Sequence, residues 1–280
     1  MTNQQNNRYD STRTAWENIW DGASIEVEME AVQSARAQET IQAYLPYLSK
    51  DDIHIEAGSG LSAVVITLRQ MGYEMHGLDY ALNALVESQR YDATLPLVAG
   101  DIHHLPYPDN TFGSYLSFGV LEHFEHGMQP ALKEAYRILK PGGILVLTIP
   151  YPNVVYKLVQ FKRRMAGDSL LTDDEFYEST YTRQQLIDNV SEVGFEVVST
   201  QPTSHAFTLW GLGGVFRGDG YYKTTPLADS LGNMFKRVLP WASHSPYETP
   251  TYVGRDKACL VRNMTPLIEL INSKFNLPTN

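Results

Sequence analysis

The sequence predicts an α/β protein built on a doubly wound, mostly parallel sheet of seven strands with cap insertions. Three observations lead there. Between residues 53 and 150, short apolar runs alternate with stretches of helical rhythm. The connections are short, so successive strands run the same way with a helix crossing between them. A glycine turn, Gly58-Ser59-Gly60, follows the first run, where such folds pass from strand to helix.

Each element has a local reason. Residues 1–27 begin polar and then carry Trp16 and Trp20, four apart and so on one helical face. That face packs on the domain or lies as a lid over a ligand; packing is the preferred reading. Residues 28–48 are rich in Ala, Glu, Gln and Leu and read as one helix. A strand at 53–55 leads into the glycine turn, and a helix over 61–71 shows a stripe of Leu61, Val64, Val65 and Leu68. A strand at 74–78 ends at Asp79, a helix covers 81–91, and a strand at 95–99 ends at Gly100-Asp101. Next come a strand at 113–118 and a helix at 129–139, stopped by Lys140-Pro141-Gly142-Gly143, then a strand at 144–150. A helix at 182–193 and strands at 195–200 and 257–262 complete the pattern.

Two stretches, 151–181 and 202–256, exceed ordinary connections, and such loops serve ligands. The second holds nine aromatics, including Trp210, Tyr221, Tyr222 and Trp241, and five glycines between Gly211 and Gly220. The expected organisation is an N-terminal lid or helix region at 1–48, a main domain at 49–265 with both insertions as a cap, and a tail at 266–280.

The chain has 280 residues, 43% of them hydrophobic, which suffices for a full core. A net charge of −10 argues against a broad nucleic-acid footprint. Cys259 is the one cysteine, so no intrachain disulfide is possible. Without an apolar signal core or a run of 18 apolar residues, the expectation is a soluble, cytoplasmic protein with no membrane span.

The chemistry gathers at the glycine turn. Missing side chains at Gly58 and Gly60 let a ligand approach the backbone. Asp79, 19 residues after Gly60 and at the next strand's end, suits ribose hydroxyls. An adenosine-like ligand follows, and a dinucleotide would serve as well. Tyr136 and Lys140 even stand at a reductase-like spacing, but they end their helix instead of lying inside it.

Five further pieces join Glu56-Ala57-Gly58-Ser59-Gly60 in order: Asp79, Gly100-Asp101, the Leu105-Pro106 to Phe112 run, Val120-Leu121-Glu122-His123 and Leu139-Lys140-Pro141-Gly142-Gly143. As an ordered set over about 53–150, they resemble the class I small-molecule methyltransferases, the type that includes quinone and sugar methyltransferases. That resemblance implies a Rossmann-like fold and S-adenosylmethionine as cofactor. The turn with Ser59 would cradle the methionine part and Glu56 would support its amino group. Asp79 would hold the ribose and Asp101 the adenine amino group, with Ile102 and Tyr80 against the ring. The backbone at Phe118 and Gly119 would face the methionine end. Many members carry Cys or another small residue where Ser59 stands. His123 is the candidate general base, oriented or charge-tuned by Glu122.

His103-His104 and His123 with His126 match no common metal spacing, so no metal is expected. The basic cluster Lys157, Lys162, Arg163 and Arg164 reads as a solvated face, or as a grip on an anionic acceptor. The stripe Leu227, Leu231, Met234, Phe235, Val238 and Leu239 reads as core packing, or as a peripheral lipid contact. The expected function is methyl transfer to a small-molecule acceptor, with a hydroxyl oxygen of a sugar, phenol or quinone favoured. The alternatives are a nicotinamide oxidoreductase and a methyltransferase-like binding protein without turnover.

Overall fold

The structure is a computed structural model, and it describes residues 14, 16–124, 126–149, 157–158, 161, 165, 179–200, 205–219, 223–238 and 250–255. The strands are β1 (Ile53–Ala57), β2 (Glu74–Asp79), β3 (Leu97–Ala99), β4 (Phe112–Phe118), β5 (Leu139–Thr148), β6 (Phe195–Thr200) and β7 (Pro250–Arg255). They form one sheet in the order β3-β2-β1-β4-β5-β7-β6. The first five are parallel, and β7 runs antiparallel to both β5 and β6.

Side-chain alternation splits the core across two faces. On β4 and β5, Tyr115, Leu145 and Leu147 point into one cluster, with α5 (Gln129–Ile138) and α6 (Arg183–Val193) supplying Leu132, Ile138, Leu186 and Val190. Leu116 and Val146 point the other way, towards α1 (Ile25–Val32), α2 (Ala35–Tyr44) and α3 (Ala63–Gln70), which supply Ile25, Tyr44, Val65 and Leu68. Of the expected α3 stripe, Leu61, Val65 and Leu68 are buried and Val64 is half-buried. Helix α4 (Leu82–Tyr91) joins β2 to β3.

Four expectations need correction. The single helix over 28–48 is two helices, because the Ser34 hydroxyl accepts from the Ala37 N–H and caps a new start. Strand β5 begins at Leu139, directly after α5, rather than at 144. Phe112 pairs with Leu139 and Ser114 with Ile144, so residues 140–143 bulge opposite Gly113. Strand β7 lies at Pro250–Arg255, inside the stretch assigned to the cap, whereas the expected strand at 257–262 lies outside the described residues.

The fourth concerns the cap helices α7 (His205–Leu212) and α8 (Pro226–Val238). Ala228 and Gly232 form the buried side of α8. A Cβ on Gly232 would stand 2.5 Å from the Ala206 nitrogen, so only glycine permits this approach. Leu227, Met234 and Val238 are instead 49%, 48% and 68% exposed, Leu231 and Phe235 are half-buried, and Leu239 lies outside the described residues. The stripe is therefore not core packing: Gly232 seats the helix on its small-residue side and leaves its large apolar side chains outward. Tyr221, Tyr222 and Trp241 also lie outside the described residues.

Candidate functional site

Strand β1 lies between β2 and β4, the point at which chain order along the sheet reverses. Ligands of open α/β sheets bind in the crevice beyond the carboxyl ends of strands at such a point. Here Gly58 and Gly60 turn the chain with φ of +83° and +49°. A Cβ on Gly58 would stand 2.3 Å from a Val120 methyl, and one on Gly60 would stand 2.4 Å from the Trp20 ring. Neither position has room for a side chain, quite apart from backbone strain.

A crevice of about 180 Å³ opens at this turn, lined by Glu56, Gly58, Ser59, Gly60 and Phe118 together with Trp20, Glu28 and the start of α3. That is smaller than the roughly 300 Å³ at which ligand pockets begin. Trp16 and Trp20 both pack at the Leu61–Ala81–Ala84 cluster beside it. The tryptophan pair thus packs on the domain and, through Trp20, also stands at the crevice.

Two acids meet here. Glu56 is buried at 4% exposure, and its Oε2 has no hydrogen-bond partner among the described residues. Burial, then the nearby Asp79 carboxylate, pushes its pKa well above the ordinary carboxylate range, with a Val65 backbone bond pulling the other way. Asp79, at 7% exposure, is also raised by burial, against hydrogen bonds from the Ala81, Gly60 and Tyr80 backbone. Its Oδ2 accepts from the Gly60 N–H at 2.7 Å and its Oδ1 from the Ala81 N–H at 2.8 Å. Asp79 therefore ties the glycine turn to the end of β2, a structural duty beyond that read from the sequence.

The remaining candidates spread along the same edge. Asp101 Oδ1 accepts from the His103 backbone N–H at 2.9 Å and lies 2.8 Å from His103 Nδ1. Burial works to raise its pKa, but the bonds from His103 and His104 outweigh it and hold the carboxyl below its ordinary value. Ile102 is 6% exposed and belongs to the core cluster, and Tyr80 is half-buried. Asp101, Ile102 and Tyr80 are not among the lining of the described crevice. Gly119, at φ +69°, donates its N–H to Thr148 Oγ1 at 3.0 Å, which holds the end of β4 against β5. Glu122 is buried, and its carbonyl accepts from the Ser179 N–H at 2.8 Å. His123 is half-buried and meets Trp16 edge-on with ring centroids 4.9 Å apart.

Sequence reasoning missed Glu28 and did not set Trp20 or Val120 against the glycines themselves, since these contacts are tertiary. It also missed Arg137 on α5. That guanidinium donates to the Leu105 and Tyr107 carbonyls and to Glu134, whose Oε2 accepts from the Leu105 N–H, so the pair pins the loop after Asp101. The reductase-like pair dissolves in three dimensions. Tyr136 packs edge-on against Phe195 at 5.2 Å, while Lys140 pairs with Asp52 at 2.6 Å, at the start of β1. Among the described residues, no group of three or more His, Cys, Asp or Glu side chains is placed to hold a metal ion. No described helix is long and apolar enough to cross a membrane.

The chemistry of the turn, though not the volume of the described crevice, suits a cationic nucleoside ligand. A buried carboxyl with a free oxygen, a second acid beside it and a cradle closed to any Cβ suit the ammonium and sulfonium charges of S-adenosylmethionine.

Comparison with known proteins agrees. Residues 55–147 match the family model described as a methyltransferase domain. The ubiquinone/menaquinone biosynthesis C-methyltransferase UbiE of Desulfotalea psychrophila is 30% identical over 134 residues, which cover 45% of this chain and 54% of that protein. The demethylmenaquinone methyltransferase of Staphylococcus haemolyticus is 33% identical over 147 residues, covering 45% and 61%. The chain thus spans little more than half the length of these curated relatives. A Haloferax volcanii methyltransferase, solved in complex with the Trm112 methyltransferase activator, shares the fold with a TM-score of 0.56 at 20% identity, covering 86% of this chain and 94% of that one. The glycine turn and the strand order agree with the match of residues 55–147 to a methyltransferase domain.

Proposed function

We propose that this protein transfers the methyl group of S-adenosylmethionine to a small-molecule acceptor. The observation that carries the reading is the buried Glu56 carboxyl at the mouth of the glycine turn, whose Oε2 lacks a partner among the described residues. An orphaned buried acid costs stability unless a ligand uses it. In this reading Glu56 receives the cofactor's ammonium, and Gly58, Ser59 and Gly60 cradle the methionine part. Asp79 accepts from the ribose hydroxyls through the lone pairs left by its backbone bonds. Asp101 accepts from the adenine amino group, Ile102 and Tyr80 flank the ring, and the Phe118–Gly119 backbone borders the methionine end.

When bound, S-adenosylmethionine supplies a methyl group already activated on a sulfonium. The chain's own work is then to align the acceptor, exclude water and remove a proton. Trp16 and Trp20 shield the crevice. His123 takes the acceptor's proton, and Glu122 orients that ring, a general-base contribution worth about a hundredfold or more. Residues 1–48 act as the lid, 49–265 as the transferase domain, and the two insertions choose the acceptor.

The acceptor atom we favour is a hydroxyl oxygen of a sugar, phenol or quinone. A ring carbon of a quinol is the second reading, favoured by the C-methyltransferase name of the matched relative. Carbon-13 methyl-labelled cofactor separates them, because an O-methyl and a ring C-methyl carbon resonate far apart. Calorimetric titration tests the cofactor: S-adenosylhomocysteine should bind and NADH should not. A protein that binds S-adenosylhomocysteine yet methylates nothing across sugars, phenols and quinols would be the non-catalytic alternative. For the base, His123→Ala should slow single-turnover methylation by about a hundredfold or more while leaving S-adenosylhomocysteine affinity near wild type; an unchanged rate removes His123 from that role.

A further inference from the structure

Asp101, in the loop after β3, has its two carboxylate oxygens held unequally. Oδ1 is engaged twice by one residue: it accepts from the His103 backbone N–H at 2.9 Å and lies 2.8 Å from His103 Nδ1. The carboxyl is held below its ordinary pKa and so is ionised near neutral pH. An ionised carboxylate only accepts, so Nδ1 carries the proton of this pair and donates it. Oδ2 is held more loosely. It stands 3.6 Å from Nδ1 of His104, long for a hydrogen bond, and the His104 side chain is 66% exposed.

The His103 side chain, by contrast, is only 6% exposed. It meets Phe124 edge-on, with ring centroids 4.3 Å apart. The loop around it is closed as well: the His104 N–H donates to the Asp101 carbonyl at 3.0 Å, and Glu134 and Arg137 hold Leu105. Packing on one neighbour thus aims a donor at another. The terminal torsion of a carboxylate is broad, so Asp101 without these bonds would offer either oxygen at many angles. Two bonds on Oδ1 take that freedom away and leave Oδ2 as the oxygen a ligand can use.

We infer that His103 is a positioning residue: it fixes the Asp101 carboxylate so that Oδ2 reads the exocyclic amine of the cofactor's purine. The inference rests on the adenine role proposed for Asp101. A group that can only accept suits adenine, whose amine donates. It opposes hypoxanthine, which carries a carbonyl in place of that amine, so that two acceptors would face each other. His103 therefore sets base specificity by acting through Asp101.

The test is calorimetric titration of the full chain with S-adenosylhomocysteine and with S-inosylhomocysteine, in which the carbonyl replaces the amine. The wild type should prefer the first by about a hundredfold or more. Asp101→Ala should erase that preference. His103→Leu, which fills the space without a donor, and His103→Ala, which empties it, should each lower the preference about tenfold or more. His103→Asn should keep most of it, because its side-chain amide can place an N–H where Nδ1 stands. The preference is a ratio read on one protein, so a partly unfolded variant weakens both ligands and leaves the ratio intact. No preference in the wild type, or one that survives Asp101→Ala, would overturn the adenine reading and this inference with it. If Asp101→Ala behaves as expected, full preference in His103→Leu and His103→Ala would overturn the role of His103 alone. So would a loss in His103→Asn equal to theirs.

Discussion

The two ends of β1 make opposite use of a buried polar residue on the same face of the strand. His54, at the amino end, is 1% exposed and has both ring nitrogens partnered. Its Nε2 lies 2.8 Å from the Ser49 carbonyl and therefore donates, which leaves Nδ1 to accept from the Ser114 hydroxyl at 2.6 Å. Glu56, two residues on, keeps an oxygen without a partner among the described residues. Next to it the chain turns through glycines that leave no space for a Cβ. The contrast teaches where this fold is built for itself and where it is built for a ligand. A satisfied buried group stabilises the apo protein; an unsatisfied one holds a place for something else.

The same contrast sets opposite pH dependences. Burial lowers the His54 pKa, so the folded state prefers the neutral ring. That contribution is present above the unfolded histidine value of about 6.5 and is lost as pH falls. Burial raises Glu56 and Asp79, so their contribution is greatest below ordinary carboxyl values and is lost as pH rises towards the folded pKa values.

Asp79→Ala should break the comparison most severely. It strands the buried Gly60 and Ala81 N–H groups, so stability should fall by about 2–4 kcal/mol in urea unfolding, and S-adenosylhomocysteine affinity should fall about a hundredfold or more. Wild-type stability would show that the turn does not need this tie. His54→Ala should cost about 2–3 kcal/mol, since it orphans Ser49 and Ser114, yet leave cofactor affinity unchanged. A parallel loss of affinity would mean the two ends are not separable. Gly60→Ala should cost about 1–2 kcal/mol from its left-handed backbone and displace Trp20, visible as a shift in tryptophan emission. Smallest in stability, Glu56→Gln should flatten the decline in melting temperature between pH 5 and pH 8; an unaltered slope would acquit Glu56 as its source.

Much of this was legible locally. Strands β1 to β4 announce themselves by apolar runs, and Gly58, Gly60 and Asp79 by residue type at a strand's end. The break at Ser34 had its signal too, a capping serine before Ala-rich sequence, masked by the helical composition on both sides. Strand β7 was hidden inside the long stretch read as a cap, although Thr251-Tyr252-Val253 has strand character. Trp20 on Gly60, Arg137 on the Leu105 loop and the solvent-facing side of α8 depend on contacts between distant segments, which no local pattern encodes. The burial of Glu56 belongs with them: its identity was readable, but its missing partner was not.

The account stands or falls on proton release during cofactor binding. Calorimetric titration of S-adenosylmethionine near pH 7, repeated in buffers of different ionisation enthalpy, measures it directly. If Glu56 is protonated in the empty site and ionises against the ligand's ammonium, the wild type should release a proton that Glu56→Gln does not, and the variant should bind about tenfold or more weakly. Equal affinity and equal proton release in the two proteins, or no binding by the wild type, would contradict it.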